Sequence, residues 1–412
     1  PPVPAGPGAA TDAPLPEPEE LQAAVDAAVA HPWVGTSVGV VVVDQLTGEL
    51  VAAASPDVPR EPASTAKILT AVAALRTLGP DRTVETAVVQ EAPGRIVLVA
   101  GGDVMLAAGA GDPTATNGRA GLADLADQTA RALALAGTTE VALGVDESVF
   151  SGPAVSPGWF PTDVSLGFVA PVTPLQVNIA KTREEPYPPR HADPTLHAAG
   201  VFATLLGERG ITVTGTERRD APEGAGRIAA VQSAPVRDIA EYVLRTSDNT
   251  VSEALGRLVA VEQGLPGSFE GATRAILAEV ERLGIDVTGA ALADASGLAA
   301  GSLLSSQQLV DVLRVASLDP ALRTVVVDLP VAGWEGTLGD RFAEGPGRGL
   351  VRAKTGSLTG TTSLAGSVVT VQGRELLFAV VADETPPGGQ LGPRRVIDAL
   401  VQQIAGCGCP LP

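Results

Sequence analysis

The sequence predicts an α+β protein in which helices cover one antiparallel five-stranded sheet and a large segment is inserted into that domain. Two β-branched strands follow an N-terminal helix, and three further strands precede a closing helix near the C-terminus. Residues 86–235, which lie between these two groups, differ from them in character. A chain of 412 residues is long enough for two domains or for one domain with a large insertion.

The first elements follow from the spacing of apolar residues. Apolar positions recur at helical spacing from Glu17 to Ala30, which predicts the first helix. Residues 37–44 form a β-branched strand, and a turn leads into a second strand through Val51, so a hairpin is predicted. Before the helix, residues 1–20 are rich in Pro, Ala and Gly and predict an extended tether.

A buried helix that carries a serine and a lysine is predicted after the hairpin. Pro62 precedes Ser64-Thr65-Ala66-Lys67, and the apolar run that follows contains neither Gly nor Pro. Ser64 would lie in the first turn, where free backbone N–H groups favour negative charge. Lys67 lies three residues later on the same face, so an amine that could accept a proton stands beside the hydroxyl.

Lysine is scarce in this chain, so the presence of Lys67 is more informative than the Ser-x-x-Lys pattern, which is common by itself. The chain has 28 Lys and Arg residues, and its lysines are Lys67, Lys181 and Lys354 alone. A buried lysine can become a neutral base, whereas an arginine cannot be deprotonated in a protein. This composition favours a chemical role for Lys67 over an ordinary helix lysine, while Lys181 is predicted to be a surface or loop charge.

The remaining elements complete the predicted sheet. The inserted domain of residues 86–235 has strands predicted at 95–100 and 140–145 and helices at 122–136 and 196–206. Residues 235–264 are predicted to be helical, with a break at Ser247-Asp248-Asn249. Three strands and a helix close the chain, at residues 350–357, 362–371, 375–382 and 393–405.

Charge and composition exclude several classes of function. A formal net charge of −19 argues against nucleic acid and against anionic membrane surfaces as partners. Met105 is the sole methionine, so the given sequence lacks an initiator, and a cleaved export signal before residue 1 would fit. Cys407 and Cys409, in the tail of residues 406–412, could form a strained disulfide, bind metal weakly or stay free; a disulfide is favoured, and no function is assigned to it.

Three short motifs occur in a fixed order: Ser64-x-x-Lys67, Ser247-Asp248-Asn249 and Lys354-Thr355-Gly356. Each motif alone is weak, but the ordered set in helix, interhelical and strand contexts is specific. The residue types suit acyl transfer, with Ser64 as the nucleophile and Lys67, if neutral, as its base. Burial and the cation of Lys354 are expected to lower the pKa of Lys67.

The other members of the set have complementary predicted roles. Ser247 would relay a proton to the leaving nitrogen, and Asn249 would hold a substrate amide and orient Lys67. Lys354 would attract a carboxylate. The backbone N–H groups of Ser64 and Ser357 would form an oxyanion hole, in which each donor contributes roughly 10²–10³ in rate.

Over about residues 21–405 the chain resembles the class C low-molecular-mass penicillin-binding proteins. The gap of 247 − 64 = 183 residues between Ser64 and Ser247 requires an insertion that class A β-lactamases lack. The resemblance implies a discontinuous penicillin-binding/serine β-lactamase-like transpeptidase domain, at residues 21–85 and 236–405. Besides the three motifs it is carried by Pro62–Lys67, Gly101–Asp103, Asp294–Leu298, Leu329–Gly333 and Gly336–Leu338.

The resemblance also implies a function. It predicts a serine-type D-Ala-D-Ala carboxypeptidase and endopeptidase that acts on peptidoglycan stem peptides through an acyl-enzyme, is inhibited by β-lactams, and needs no metal or cofactor. It also implies an extracytoplasmic location, outside the cytoplasmic membrane. Thr355, Gly356 and Ser357 would bind the substrate. Asp163 would face the amino group of the stem diamino acid, although its segment could equally be a loop anchored by two aromatic residues.

Three positions depart from the family pattern. The connector Arg183–Pro194 stands where relatives often carry a third domain, and Ser357 stands where threonine is usual. Ala300 replaces an arginine that in relatives is implicated in holding the carboxylate end of the stem peptide. Two other functions remain open at this point: a serine β-lactamase-like hydrolase, disfavoured by the insertion and by the lack of a clear deacylating glutamate, and a catalytically idle wall-binding protein, disfavoured by the intact motifs.

Overall fold

The computed structural model describes residues 11–406, so Cys407, Cys409 and the first half of the predicted tether lie outside the described residues. The chain forms two compact units. The first unit comprises the residues up to Arg76, Ala240–Ser247 and the residues from Ile276 onward, and the second comprises Thr77–Ile239 and Asp248–Ala275. The predicted inserted domain of residues 86–235 falls within the second unit, and its boundaries as a domain stay a prediction.

The described residues contain ten strands and eleven α-helices. The strands are β1 (Val38–Asp44), β2 (Leu50–Ala54), β3 (Glu85–Ala92), β4 (Arg95–Val99), β5 (Glu140–Asp146), β6 (Thr212–Arg218), β7 (Gly226–Gln232), β8 (Val351–Leu358), β9 (Thr361–Val369) and β10 (Glu375–Ala382). The helices are α1 (Pro18–Val29), α2 (Lys67–Leu78), α3 (Leu122–Leu135), α4 (Pro161–Ser165), α5 (Pro194–Glu208), α6 (Val236–Thr246), α7 (Asn249–Glu262), α8 (Phe269–Arg282), α9 (Ser306–Leu318), α10 (Thr324–Val327) and α11 (Leu391–Ala405).

The first unit is built on the predicted antiparallel sheet. Its strand order is β2-β1-β10-β9-β8, and each neighbouring pair is antiparallel, which confirms the prediction. Helices α1 and α11 bury apolar residues in one core with the sheet, which includes Val25 of α1, Leu400 of α11 and Phe378 of β10. Helix α9 also contacts β1 and β10. Every residue of β1 is buried, as expected for a central strand that is covered on both faces.

The second unit contains a mixed sheet that was predicted from the sequence only in part. Its order is β6-β5-β4-β3-β7, in which β4–β5 and β5–β6 are parallel pairs. Strands β4 and β5 were predicted, whereas β3, β6 and β7 were not. Strand β6 is almost entirely exposed and lacks the alternation of apolar and polar residues that marks a half-buried strand. The hydrophobic periodicity of the sequence therefore could not reveal it. Helices α3 and α5 share a core cluster with this sheet.

Local geometry at Ser64 differs from the predicted first turn of an α-helix. Ser64 lies in a 3₁₀ turn, Ala63–Ala66, and the α-helix begins only at Lys67. Ala63 adopts a φ of 49°, in the left-handed region that costs a non-glycine residue conformational energy.

Within residues 11–406, no helix is both long and apolar enough to cross a membrane.

Candidate active site

Ser64 and Lys67 form a hydrogen-bonded pair in the first unit. The Nζ of Lys67 lies 3.0 Å from the Oγ of Ser64 and 2.6 Å from the carbonyl oxygen of Ser296. The lysine side chain is completely buried, whereas Ser64 is half-buried. These two oxygens hold the amine of Lys67 beside the serine hydroxyl.

The turn that carries Ser64 is fixed by the carbonyl oxygen of Pro62. That oxygen accepts hydrogen bonds from the hydroxyls of Thr65, at 2.7 Å, and Ser363, at 2.6 Å, so the turn is tied to β9. Strand β8 also approaches closely, because a Cβ at Gly356 would lie only 2.7 Å from the same oxygen. A side chain at Gly356 would therefore push apart the strand and the serine turn.

Ser247 and Lys354 form a second pair in the same unit. Ser247 follows the last residue of α6 with a φ of 61°, and its N–H donates to the carbonyl oxygen of Val243. This left-handed position ends the helix and turns the chain sharply. The Nζ of Lys354 donates to the Oγ of Ser247 at 2.8 Å and to the carbonyl oxygen of Thr355 at 2.9 Å.

The electrostatics of Lys354 favour an anionic partner. Burial, together with the positive charge of Lys67, holds the pKa of Lys354 well below its usual range. The protonated form of Lys354 is therefore costly, and a carboxylate bound beside it would stabilise that form. This environment suits the predicted role of Lys354 in attracting a carboxylate.

Strand β8 also places the other predicted substrate-binding residues. The hydroxyl of Thr355 lies 3.0 Å from that of Thr337, and Ser357 is exposed. The Oγ of Ser357 accepts a hydrogen bond from Arg394 of α11 at 2.9 Å. Neither Thr337 nor Arg394 was assigned a role from the sequence. Thr337 lay in a phrase shared with the family, but no sequence signal pointed to Arg394.

Two predicted site residues belong to the second unit. Asn249 is the first residue of α7, and the carboxylate of Asp248 caps that helix by accepting from the N–H of Val251 at 3.0 Å. The amide of Asn249 donates to the carbonyl oxygen of Phe168 at 2.9 Å. The predicted interhelical break at Ser247-Asp248-Asn249 is thus the end of α6 followed by an N-cap, which confirms the context of this motif.

Asp163 lies in the short helix α4 of the second unit and is 9% exposed. One of its carboxylate oxygens accepts a hydrogen bond from the N–H of Phe160 at 2.8 Å. Of the two aromatic residues expected to anchor this loop, Trp159 is buried against Phe269, whereas Phe160 is 66% exposed. The loop is therefore anchored by one aromatic residue and by a carboxylate that closes the first turn of α4.

The structure brings together two pairs of motif residues, and the charge of Lys67 acts on Lys354. The carbonyl of Ser296 could not be predicted from the sequence, because a backbone oxygen leaves no mark in a residue pattern. Among residues 11–406, no group of three or more His, Cys, Asp and Glu side chains is placed to hold a metal ion. The Ser64–Lys67 pair, a hydroxyl held beside a buried amine, can support nucleophilic acyl transfer.

Comparison with known proteins identifies the family. The profile of the D-Ala-D-Ala carboxypeptidase 3 (S13) family matches residues 21–191 and 179–405. A carboxypeptidase of Mycobacterium tuberculosis is 39% identical over 94% of this chain and 84% of the relative. The carboxypeptidase DacB of Mycolicibacterium smegmatis is also 39% identical, over 99% of this chain and 89% of the relative.

A solved structure supports the fold independently. Penicillin binding protein 4 from Haemophilus influenzae superposes with a TM-score of 0.76 at 22% identity, covering 90% of this chain and 96% of that one. This likeness confirms the predicted transpeptidase-type fold. Together with the match along nearly the whole chain, it confirms the predicted resemblance: the chain belongs to the D-Ala-D-Ala carboxypeptidase 3 (S13) family, the class C low-molecular-mass penicillin-binding proteins.

Proposed function

We propose that this serine D,D-peptidase cleaves the D-Ala-D-Ala bond of peptidoglycan stem peptides through an acyl-enzyme on Ser64. The observation that carries the proposal is the 3.0 Å hydrogen bond between Ser64 and the completely buried Lys67. Lys67 takes the hydroxyl proton as Ser64 Oγ attacks the carbonyl carbon of the penultimate D-alanine. The bond to the terminal D-alanine nitrogen then breaks, and water later hydrolyses the ester.

The second pair of residues serves the leaving group in this proposal. Ser247, held 2.8 Å from Lys354, is suited to pass a proton to the departing nitrogen. Lys354 and the hydroxyl of Thr355 bind the terminal carboxylate, and the N–H groups of Ser64 and Ser357 stabilise the oxyanion. Asn249 holds a substrate amide. A β-lactam follows the same route, but its opened ring stays attached and leaves a long-lived adduct.

The cellular setting follows from the substrate. Peptidoglycan lies outside the cytoplasmic membrane, so the enzyme acts there. The names of the two mycobacterial relatives describe carboxypeptidases, which supports release of the terminal residue as one activity. Endopeptidase action on cross-links is a second activity of the same site, because the nucleophile and the acyl group are unchanged and only the leaving amine differs.

A time course with fluorescent penicillin tests the proposal. A D,D-peptidase should give one labelled band that persists for many minutes, and in parallel it should release D-alanine from a stem pentapeptide. Rapid loss of the label would indicate a β-lactamase-like hydrolase instead. No label and no released D-alanine would indicate an idle wall-binding protein.

The contribution of Asp163 to stem recognition can be measured separately. We expect Asp163→Ala to lower kcat/KM for stems that end in a free side-chain amine, because it removes the proposed carboxylate partner. Wild-type enzyme should discriminate weakly between diaminopimelate, its amidated form and lysine, since Ala300 lacks a charge-assisted contact worth about 1.5–3 kcal/mol. The measurement is kcat/KM for the three stems.

Asp163→Asn is the matched control for this experiment. Its amide oxygen can still accept from the N–H of Phe160, so α4 keeps its cap while the negative charge is lost. Equal losses of kcat/KM in Asp163→Asn and Asp163→Ala would show that the negative charge of Asp163 is what recognises the amine. A loss in Asp163→Ala alone, or a strong wild-type preference for the free carboxylate, would contradict the predicted recognition.

A further inference from the structure

Residues 294–299 form a loop that is organised by the buried carboxylate of Asp294. One carboxylate oxygen accepts from the N–H groups of Ser296, at 3.0 Å, and Gly297, at 2.6 Å. The other oxygen accepts from the N–H of Ala299 at 2.7 Å. The side chain is completely buried. Three charge-assisted bonds therefore fix the orientation of successive peptide groups where no helix or strand does so.

This loop presents two carbonyl groups to helix α2. The carbonyl oxygen of Ala295 accepts from the hydroxyl of Thr70 at 2.6 Å, and that of Ser296 accepts from Nζ of Lys67 at 2.6 Å. Lys67 and Thr70 are three residues apart, so they share one face of the helix. The loop thus contacts Lys67, the base proposed for acyl transfer, and Thr70, which lies one turn further along α2.

The loop also contacts the serine turn. Gly297 has a φ of 71°, and a Cβ at this position would lie 2.0 Å from the carbonyl oxygen of Ala63. Only a glycine permits this approach. Because Asp294 binds the N–H of Gly297, the same carboxylate holds the loop against the turn and aims the carbonyl of Ser296 at Lys67.

We propose that Asp294 is a positioning residue for catalysis: its carboxylate fixes the peptide plane of Ser296, whose carbonyl holds Lys67 against Ser64. Asp294 does not touch substrate in this role, and it acts through Lys67. The inference rests on the proposed function of Lys67 as the base. It predicts that loosening the loop slows acylation and leaves initial binding of the ligand intact.

Asp294→Asn tests the inference with a minimal change. The amide oxygen can still serve Ser296 and Gly297, but the amide nitrogen then faces the N–H of Ala299, a donor against a donor. We expect the acylation rate constant for benzylpenicillin to fall by about 10-fold to 10²-fold, because small displacements of catalytic groups cause losses of this size. The dissociation constant of the non-covalent complex should change by less than about 2-fold, which is the size of change expected when the mutated residue is not coupled to binding.

Two further variants keep the test decisive. Asp286→Asn is the matched control, because Asp286 is exposed and caps only its own turn, at the N–H of Thr288, and it should acylate at the wild-type rate. If Asp294→Asn does not fold, Asp294→Ser replaces it, because a single hydroxyl cannot accept from all three loop N–H groups that the carboxylate serves. Wild-type acylation by a folded Asp294→Asn, or by Asp294→Ser in its place, would overturn the proposal.

A double-mutant cycle separates this role from a general structural one. If Asp294 acts through Lys67, Asp294→Asn should cost little further acylation in the Lys67→Ala background, whereas independent effects would add. Additive losses would overturn the inference. If Lys67→Ala forms no adduct at all, the cycle cannot be completed, and the test is whether Asp294→Asn lowers the acylation rate constant without changing the dissociation constant of the non-covalent complex. Wild-type acylation by Lys67→Ala would instead refute the proposed function of Lys67.

Discussion

Ser64→Ala is expected to abolish the covalent adduct with benzylpenicillin and the release of D-alanine. Wild-type protein should gain the mass of one penicillin, and digestion should locate it on the peptide that carries Ser64. The alanine variant lacks the only atom that can form the ester, so its adduct should be undetectable. Residual turnover from the oxyanion hole and binding alone would be slower by several orders of magnitude.

A folding control is needed because Ser64 also takes part in the hydrogen bond with Lys67. Thermal unfolding should be nearly unchanged in Ser64→Ala, since a half-buried hydroxyl contributes about 0.5–1.5 kcal/mol. Ser317→Ala, a change at a half-buried serine of α9, should keep the full adduct. An adduct on any serine other than Ser64 would contradict the assignment of the nucleophile.

The elements of the first unit could be predicted because each has a strong local signal. Strands β1 and β10 are continuous apolar runs, and α1 shows apolar residues at helical spacing. The order of the motifs then indicated which elements meet. The structure pairs Ser64 with Lys67 and Ser247 with Lys354, and the roles assigned to these residues stay predictions.

The features that the sequence did not reveal depend on tertiary contacts. The 3₁₀ turn at Ser64 is tied to β9 by the hydrogen bond from Ser363 to the carbonyl oxygen of Pro62, a separation of 301 positions. The bond from Lys67 to the carbonyl of Ser296 spans 229 positions and uses a backbone atom. Local propensity cannot encode either contact, so the apolar run correctly predicted an α-helix but Ser64 was wrongly predicted to lie in its first turn.

Lys67→Arg is expected to keep a positive charge at the site and yet stop acylation. A guanidinium cannot accept the proton of Ser64, because it is not deprotonated in proteins. It is also planar and larger, whereas the pocket holds a compact amine between the hydroxyl of Ser64 and the carbonyl of Ser296. We expect the acylation rate constant to fall by at least ~10²-fold, the low end for removal of a general base.

Lys181→Arg is the matched control, since it makes the same exchange at a lysine that lies outside the three motifs and is not completely buried. It should acylate at the wild-type rate, and both variants should be compared by stopped-flow acylation and by thermal unfolding. A folded Lys67→Arg with slow acylation and unchanged initial binding assigns the loss to proton transfer. Near-wild-type acylation by Lys67→Arg would mean that another group takes the proton, because an arginine at this position retains the charge but not the basicity.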